Sequence, residues 1–208
     1  MTSKMTLEEG TILVKRARQT VERHLSGGTT SNPVSENSRL LERAGVFVTL
    51  LRDSEDREMR GCIGAPFPDS PLLAQLDHVA VEAATMDPRF SPVDLSEFKS
   101  RIIVEVTVLT APEVVRVLRP LEYTKMIRVG RDGIIVDGMG FRGLLLPQVA
   151  VEEGFDSEEF LSECCLKAGL LPDAWLSERV QVSRFQGQVF GEDKPGGLVS
   201  ERHLNASK

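Results

Sequence analysis

The chain has 208 residues, of which 41% are hydrophobic and 27% are charged, and its formal net charge is -6 at neutral pH. This balance is typical of a globular protein with a substantial core, and the negative charge argues against a phosphate-binding surface over the whole molecule. No apolar run approaches the roughly 20 residues that span a bilayer, and residues 1–10 lack the apolar core of a secretory signal. Three cysteines, two of them adjacent, make a poor disulfide framework, so we expect a cytoplasmic protein without membrane association.

The first predicted helix begins with a capping box between Thr6 and Glu9 and runs to about Leu25. Acidic residues interrupt its four cations, which favours a solvated face; these cations are Lys15, Arg16, Arg18 and Arg23. A nucleic-acid-binding face built from Lys15, Arg16 and Arg18 with residues 116–119 is a weaker alternative, because it requires a basic surface with steep salt dependence. We therefore do not expect nucleic acid as a partner.

A thiol, a cation and two glycines stand together in the hexapeptide Met59-Arg60-Gly61-Cys62-Ile63-Gly64. Residues 45–51 are apolar and rich in β-branched side chains, so they predict a buried strand that forms an antiparallel hairpin with the strand entering the hexapeptide. In a functional site, Arg60 would lower the pKa of Cys62, and the amides of Gly61, Ile63 and Gly64 would hold an anion. Alternatively, Cys62 is a small buried side chain and the glycines form a β-bulge.

A second helix is predicted from Ser70, whose side chain would cap it just before a proline, to about Met86. Asp87-Pro88-Arg89-Phe90 ends this helix. Asp87 and Arg89 can clamp a polar ligand there, with Phe90 as an apolar wall. Equally, Arg89 would cap the carboxyl end of the helix while Phe90 enters the core.

A β-branched strand over residues 101–110 contains a single carboxylate, Glu105. This side chain lies either on a solvated face or in an ion pair. Should it lie near Arg60 or Arg89, it becomes a candidate general base.

The Asp-Gly pair at residues 132–133 predicts a hairpin between strands at 127–129 and 134–136. Farther along, Gln148 would either give a ligand a directional amide contact or satisfy a helix start. A capping box at Asp156 opens a helix that should end at Gly169, in which Cys164 and Cys165 are assigned to the core. A closing strand is predicted over 180–190.

Mostly antiparallel strands with segregated helices predict an α+β fold, an antiparallel sheet flanked by helices. Neither a Gly-x-Gly-x-x-Gly turn nor a Walker loop occurs, and no Cys or His pair has metal-ligand spacing. The sequence therefore identifies no cofactor and no metal site.

These motifs together give the chain a family resemblance. It resembles the AMMECR domain family, whose hallmark is Leu-Arg-Gly-Cys-Ile-Gly; residues 59–64 depart from it only at the first, apolar position. The likeness continues in order and covers nearly the whole chain, from the first helix to about Phe190, with matching segments at 45–50, 87–90, 108–110, 144–149 and 167–170.

The resemblance implies a larger subdomain holding both termini and a smaller one, with the hexapeptide near the cleft between them. We therefore expect one AMMECR-type domain over 1–193, a smaller lobe within 112–150, and a flexible tail over 194–208. The family has no established activity, but its microbial members look linked to a protein called Memo and to a radical SAM enzyme. The resemblance also implies a set of cleft residues: Arg60, Cys62, Asp87, Arg89 and Gln148.

Two functions follow as hypotheses. In the first, the chain is an enzyme or enzyme component in which Cys62 reacts while Arg60, Arg89 and the glycine-rich amides bind a small anionic ligand. In the second, it is a non-catalytic module for a Memo-like or radical SAM partner, with an inert Cys62 and an exposed apolar patch. The reactivity of Cys62 distinguishes them.

Overall fold

The computed structural model describes residues 4–28, 37–67 and 70–202, and these divide into two compact units. The first unit contains the described residues up to Thr110 together with those from Gln188 onward. The second unit runs from Ala111 to Gly187, which is wider than the lobe expected within 112–150.

Within these residues the chain forms nine strands, six α-helices and three short 3-10 helices. The helices are α1 (Leu7–Leu25), α2 (Leu72–Thr85), α3 (Leu95–Arg101), α4 (Tyr123–Met126), α5 (Pro147–Glu152) and α6 (Ser157–Lys167). The strands are β1 (Val46–Arg52), β2 (Met59–Ala65), β3 (Ile102–Leu109), β4 (Glu113–Val114), β5 (Gly133–Gly138), β6 (Phe141–Leu145), β7 (Val180–Phe185), β8 (Gly187–Glu192) and β9 (Val199–Arg202). The 3-10 helices are Ser38–Leu41, Pro120–Glu122 and Ala174–Leu176.

Two antiparallel sheets confirm the predicted α+β class. The first has the strand order β2-β1-β3-β8-β9, and the second has the order β4-β7-β5-β6. The hairpin of β1 and β2 is also confirmed, and β3 pairs antiparallel with the other side of β1.

The core of the first unit lies between its sheet and helices α1 and α2. Alternate residues of β1 supply Val46, Val48 and Leu50 to this core, and all three are fully buried. Because side chains alternate along a strand, the residues between them, such as Thr49, belong to the opposite face of the sheet. This second face carries the polar groups described below.

Helix α1 begins with the predicted capping box and ends at Leu25, but only two of its four cations, Lys15 and Arg23, are exposed as the predicted solvated face requires. Arg18 is buried and donates two hydrogen bonds of 2.5 Å to the Glu192 carboxylate. Arg16 pairs with Asp77 at the same distance. The sequence prediction was wrong for Arg16 and Arg18 because their acidic partners come from α2 and β8, far away in the sequence.

Three local predictions in the second unit and at its border are corrected by the strand pairing. Strand β5 forms its hairpin with β6. Residues 127–129 are not a strand, because the Arg128 amide donates its hydrogen bond to the buried Asp132 carboxylate. The predicted strand over 180–190 is two strands, β7 and β8, which belong to different sheets.

The ends of two other elements also differ from expectation. Pro71 occupies the N-cap of α2 without a side-chain hydrogen bond, so the predicted Ser70 cap does not form. Part of the expected tail is ordered, because β9 pairs antiparallel with β8; residues 203–208 lie outside the described residues. None of the helices described is both long and apolar enough to cross a membrane.

Candidate functional site

The hexapeptide lies in β2, an edge strand whose sheet neighbour is β1. Cys62 stands directly opposite Thr49 in the register of this pair. The register shifts at Arg60, since Gly61 faces Leu50 while Met59 faces Leu51. The hexapeptide is therefore extended strand with one bulged residue, and not a loop curled around an anion.

Both glycines of the hexapeptide are explained by close packing. A Cβ added to Gly61 would lie 2.1 Å from the carbonyl oxygen of Ala83 in α2, and one added to Gly64 would lie 2.1 Å from the ring of Phe47. Glycine is required where another group approaches the backbone this closely. The structure therefore explains both glycines by their packing against Ala83 and Phe47. Their role in holding an anion stays a prediction.

Arg60 is engaged away from the thiol. Its guanidinium makes two hydrogen bonds with the Glu97 carboxylate, at 2.9 and 3.1 Å, and a third with the Ser91 carbonyl oxygen. The side chain is nearly fully buried in these contacts. In this structure Arg60 anchors β2 to α3 and is not the cation beside Cys62.

Asp87 and Arg89 hold the backbone of Cys62 from the end of α2. The buried Asp87 carboxylate accepts a 2.8 Å hydrogen bond from the Cys62 amide and two more from the Arg89 guanidinium. The guanidinium in turn donates to the Cys62 carbonyl oxygen at 3.2 Å. Asp87 and Arg89 therefore lie beside Cys62, whereas neither a helix-capping Arg89 nor a core Phe90 is observed.

The hydrogen bonds to Asp87 stabilise its ionised carboxylate at the end of α2. Hydrogen bonding to Arg89 lowers the pKa of Asp87 well below its ordinary value, with help from the Cys62 amide. The carboxylate therefore contributes stability at neutral pH that is lost as the pH falls below the ordinary carboxyl range. The Arg89 side chain remains 55% exposed, and its guanidinium carbon lies 5.5 Å from the centre of the Phe90 ring.

The Cys62 thiol is half-buried and hydrogen-bonded to the Thr49 hydroxyl, with 3.2 Å between sulfur and oxygen. Burial raises the pKa of the Cys62 thiol, and this outweighs the lowering by the Thr49 hydrogen bond and by the charge of Arg89. The low pKa expected from a neighbouring Arg60 is therefore absent. Thr49 was missed in the sequence because only the strand register reveals which residue faces Cys62.

We expect alkylation of Cys62 by iodoacetamide to have a pH midpoint above that of an ordinary thiol, because the thiolate forms in a desolvated place. Mass spectrometry of each cysteine across a pH series measures this midpoint. Cys164 is the internal control, since burial raises its pKa to about 12 and it should stay unmodified in the folded chain. A Cys62 midpoint below that of a free thiol would contradict the expectation.

Glu105 lies in the same cross-strand row as Cys62. Thr49 faces Cys62 on one side and Glu105 on the other, and directly opposed residues place their side chains on one face of a sheet. Glu105 forms its ion pair with Arg202, at 2.8 Å, and not with Arg60 or Arg89. Burial raises the pKa of Glu105 despite the nearby charges of Arg202 and Arg57.

The remaining predicted residues lie in the second unit. Gln148 is in the first turn of α5, and its side-chain oxygen is buried without a hydrogen-bond partner among the described residues. Cys164 and Cys165 are fully buried in the core of this unit, as predicted. Within residues 4–28, 37–67 and 70–202, no three His, Cys, Asp or Glu side chains converge as metal ligands.

The chain is an α+β protein that carries the sequence Arg-Gly-Cys-Ile-Gly in an edge strand. Comparison with known proteins identifies its family. The chain belongs to the AMMECR1 family, whose model matches residues 14–190. Protein MJ0810 of Methanocaldococcus jannaschii is 49% identical over 203 residues, covering 96% of this chain and 98% of that protein. Protein MK0488 of Methanopyrus kandleri is also 49% identical and covers 98% of both chains.

A solved structure extends this similarity to the fold. The crystal structure of the uncharacterized protein PH0010 from Pyrococcus horikoshii has a TM-score of 0.80 with this chain at 44% identity. The match covers 94% of this chain and 97% of the other. The family expected from the hexapeptide is thereby confirmed.

Proposed function

We propose that the chain is an enzyme or enzyme component that uses Cys62 to bind or modify a small anionic ligand. The observation that carries this proposal is the half-exposed side chain of Arg89, whose guanidinium is fixed by buried Asp87 directly beside Cys62. A preorganised cation loses little freedom when it binds an anion, so its position next to a nucleophilic atom favours ligand binding there.

The raised pKa of Cys62 means that the resting sulfur is a thiol and not an activated thiolate. At neutral pH the thiol is protonated, so an anion at Arg89 meets no negative sulfur and is not repelled. The sulfur becomes nucleophilic when its proton leaves to solvent, and the Thr49 hydroxyl, 3.2 Å away, can then donate a hydrogen bond to the thiolate.

Arg89 should make Cys62 prefer an anionic alkylating reagent over a neutral one. We expect the rate ratio of iodoacetate to iodoacetamide at Cys62 to fall about fivefold in Arg89→Gln, because an exposed charge pair at contact contributes about 1 kcal/mol. The ratio is measured by mass spectrometry of the Cys62 peptide. It cancels changes in thiol pKa and accessibility that affect both reagents alike.

Two matched variants control this experiment. Arg89→Lys keeps the charge and should retain most of the preference, whereas Lys15→Gln removes an exposed cation from α1 and should leave the ratio unchanged. An equal ratio in wild type and Arg89→Gln would remove Arg89 as the anion anchor. Alkylation only upon unfolding would remove Cys62 as the reactive group.

The alternative function, an interaction module for a Memo-like or radical SAM partner, has one specific observation in its favour. The 3-10 helices Pro120–Glu122 and Ala174–Leu176 contact each other, and four exposed leucines lie in or next to them: Leu118, Leu121, Leu171 and Leu176. Leu118 is 95% exposed. Exposed apolar side chains in one region are typical of protein docking surfaces. Co-purification of a co-expressed Memo-like protein, tested with Leu118→Ser and Leu121→Ser, distinguishes this function.

A further inference from the structure

The aromatic side chain of Phe47 lies on the same face of the first sheet as the Cys62 thiol. Phe47 and Thr49 are two positions apart on β1, and their register partners on β2 are Gly64 and Cys62. Directly opposed residues share a face of a sheet, and so do residues two positions apart along a strand. The rows that contain Phe47 and Cys62 are therefore neighbours, about 7 Å apart along the strands.

The Phe47 ring reaches across from β1 onto β2. A Cβ added to Gly64 would lie 2.1 Å from Cδ1 of Phe47 and 2.4 Å from its Cγ, so the ring occupies the space of a side chain at position 64. The ring consequently covers the β2 backbone on the Cys62 side of the sheet. Phe47 is only half-buried in this position, so part of its apolar surface remains accessible next to the thiol.

Apolar residues also occupy the row on the other side of the thiol. Met59 of β2 stands opposite Leu51 of β1, and Met59 is 43% exposed. The Cys62 thiol and the Thr49 hydroxyl thus form a narrow polar row between apolar neighbours. Burial raises the pKa of Cys62 and that of Glu105 in the same row, because charge is poorly solvated there. This face therefore favours an uncharged, apolar part of a ligand.

Positive charge is available at the edge of the sheet instead. Arg89 is 55% exposed and donates to the carbonyl oxygen of Cys62 in edge strand β2. Arginine binds carboxylates through charge-assisted hydrogen bonds of defined geometry. The acidic part of a ligand therefore belongs at this edge, and its apolar part belongs over the face beside Phe47.

We propose that Phe47 determines the specificity of the site, which takes an aromatic acid. The carboxylate binds Arg89 at the sheet edge, and the flat apolar ring packs against Phe47 beside the thiol. This inference rests on the proposed function for the Arg89 end and specifies its ligand class. Aromatic rings pair in offset or edge-to-face geometries that add to the effect of buried area, so an aromatic group gains more from Phe47 than an aliphatic group does.

Titration of the isotope-labelled full chain with phenylacetate and with acetate, followed by NMR, tests this ligand class. We expect phenylacetate to bind about tenfold more tightly than acetate and to shift the amide signals of Gly64 and Cys62. Phe47→Leu keeps an apolar side chain without the ring, so the preference for phenylacetate over acetate should fall about fivefold. Gly64→Ala should lower the preference as well, because the added methyl group displaces the ring.

Two variants serve as matched controls. Phe47→Tyr retains the ring and should retain most of the preference, whereas Phe141→Leu removes a half-exposed ring from the second unit and should not change it. Equal affinities for the two acids, no binding of either acid, or a preference that survives both Phe47→Leu and Gly64→Ala would overturn the role of Phe47.

The proposed function is read from a separate variant in the same titration. Arg89→Gln should weaken both acids alike, because each carries one carboxylate. A phenylacetate preference that depends on Phe47, with no effect of Arg89→Gln, would remove Arg89 as the anion anchor and leave the aromatic contact. Weakening by Arg89→Gln without any phenylacetate preference would retain the anchor and remove the aromatic contact.

Discussion

Replacing Arg18 by alanine should lower the free energy of unfolding by about 3–5 kcal/mol, the usual cost of removing one partner from a buried ion pair. Glu192 is only 2% exposed and receives two hydrogen bonds from Arg18, with one more from the Val104 amide. Arg18 also donates to the Ile102 carbonyl oxygen and lies 4.9 Å from the Phe98 ring. Its removal leaves a charged carboxylate stranded between α1 and the sheet. Urea denaturation followed by circular dichroism measures the loss.

Two further variants separate the cost of the stranded charge from the cost of lost packing. Lys15→Ala changes an exposed cation on the same helix and should alter stability by less than about 0.5 kcal/mol. The double variant Arg18→Met, Glu192→Leu removes both charges and should recover part of the loss, since apolar replacement of a buried pair is often tolerated. A cost below about 1 kcal/mol for Arg18→Ala would contradict the buried pairing.

Gly61→Ala should be the more damaging of two glycine substitutions in the hexapeptide, with an expected loss of about 3 kcal/mol in the free energy of unfolding. The added methyl group would meet the Ala83 carbonyl oxygen, which is backbone of α2 and cannot rotate away. At Gly64 the obstacle is the Phe47 ring, which can turn, so we expect a loss of about 1 kcal/mol for Gly64→Ala.

The same urea titration compares both glycine variants with wild type, and the ranking is more informative than either value. Equal losses would show that α2 can move away from β2, in contradiction to the close backbone contact. Because Cys62 follows Gly61 directly, we also expect Gly61→Ala to increase the alkylation rate of Cys62 by loosening its hold on Asp87.

Local signals in the sequence were sufficient for several elements. The capping boxes at Thr6 and Asp156 set the starts of α1 and α6, and β-branched runs identified β1 and β3. Each of these patterns is satisfied by residues three or four positions apart, or by alternation along one strand. Such short-range rules do not depend on the rest of the fold.

The incorrect predictions concerned contacts between residues that are distant in sequence. The Asp-Gly pair at 132–133 resembled a hairpin turn, but Asp132 is held in a buried network with Arg131 and Gln186, and β5 pairs with later strands. Likewise, the cation assigned to Cys62 was its sequence neighbour Arg60, whereas the structure places Arg89 there, 27 residues away.

The candidate site was therefore predicted in outline but not in its arrangement. Cys62, Asp87 and Arg89 were identified and are in contact, yet the Thr49 partner of Cys62 and the Arg202 partner of Glu105 emerged only from the structure. Threonine or arginine in a strand carries no distinguishing pattern. Their importance comes from which strands lie side by side.

The contact between Asp87, Arg89 and the backbone of Cys62 also protects the edge of the first sheet. β2 is an edge strand, and an unpaired edge offers free N–H and C=O groups as a template for another chain. At Cys62 the Asp87 carboxylate already accepts a hydrogen bond from the N–H and the Arg89 guanidinium already donates one to the C=O, as a neighbouring strand would. This pair of side chains thus imitates a short sixth strand, and the position that holds the thiol cannot be extended into an intermolecular sheet.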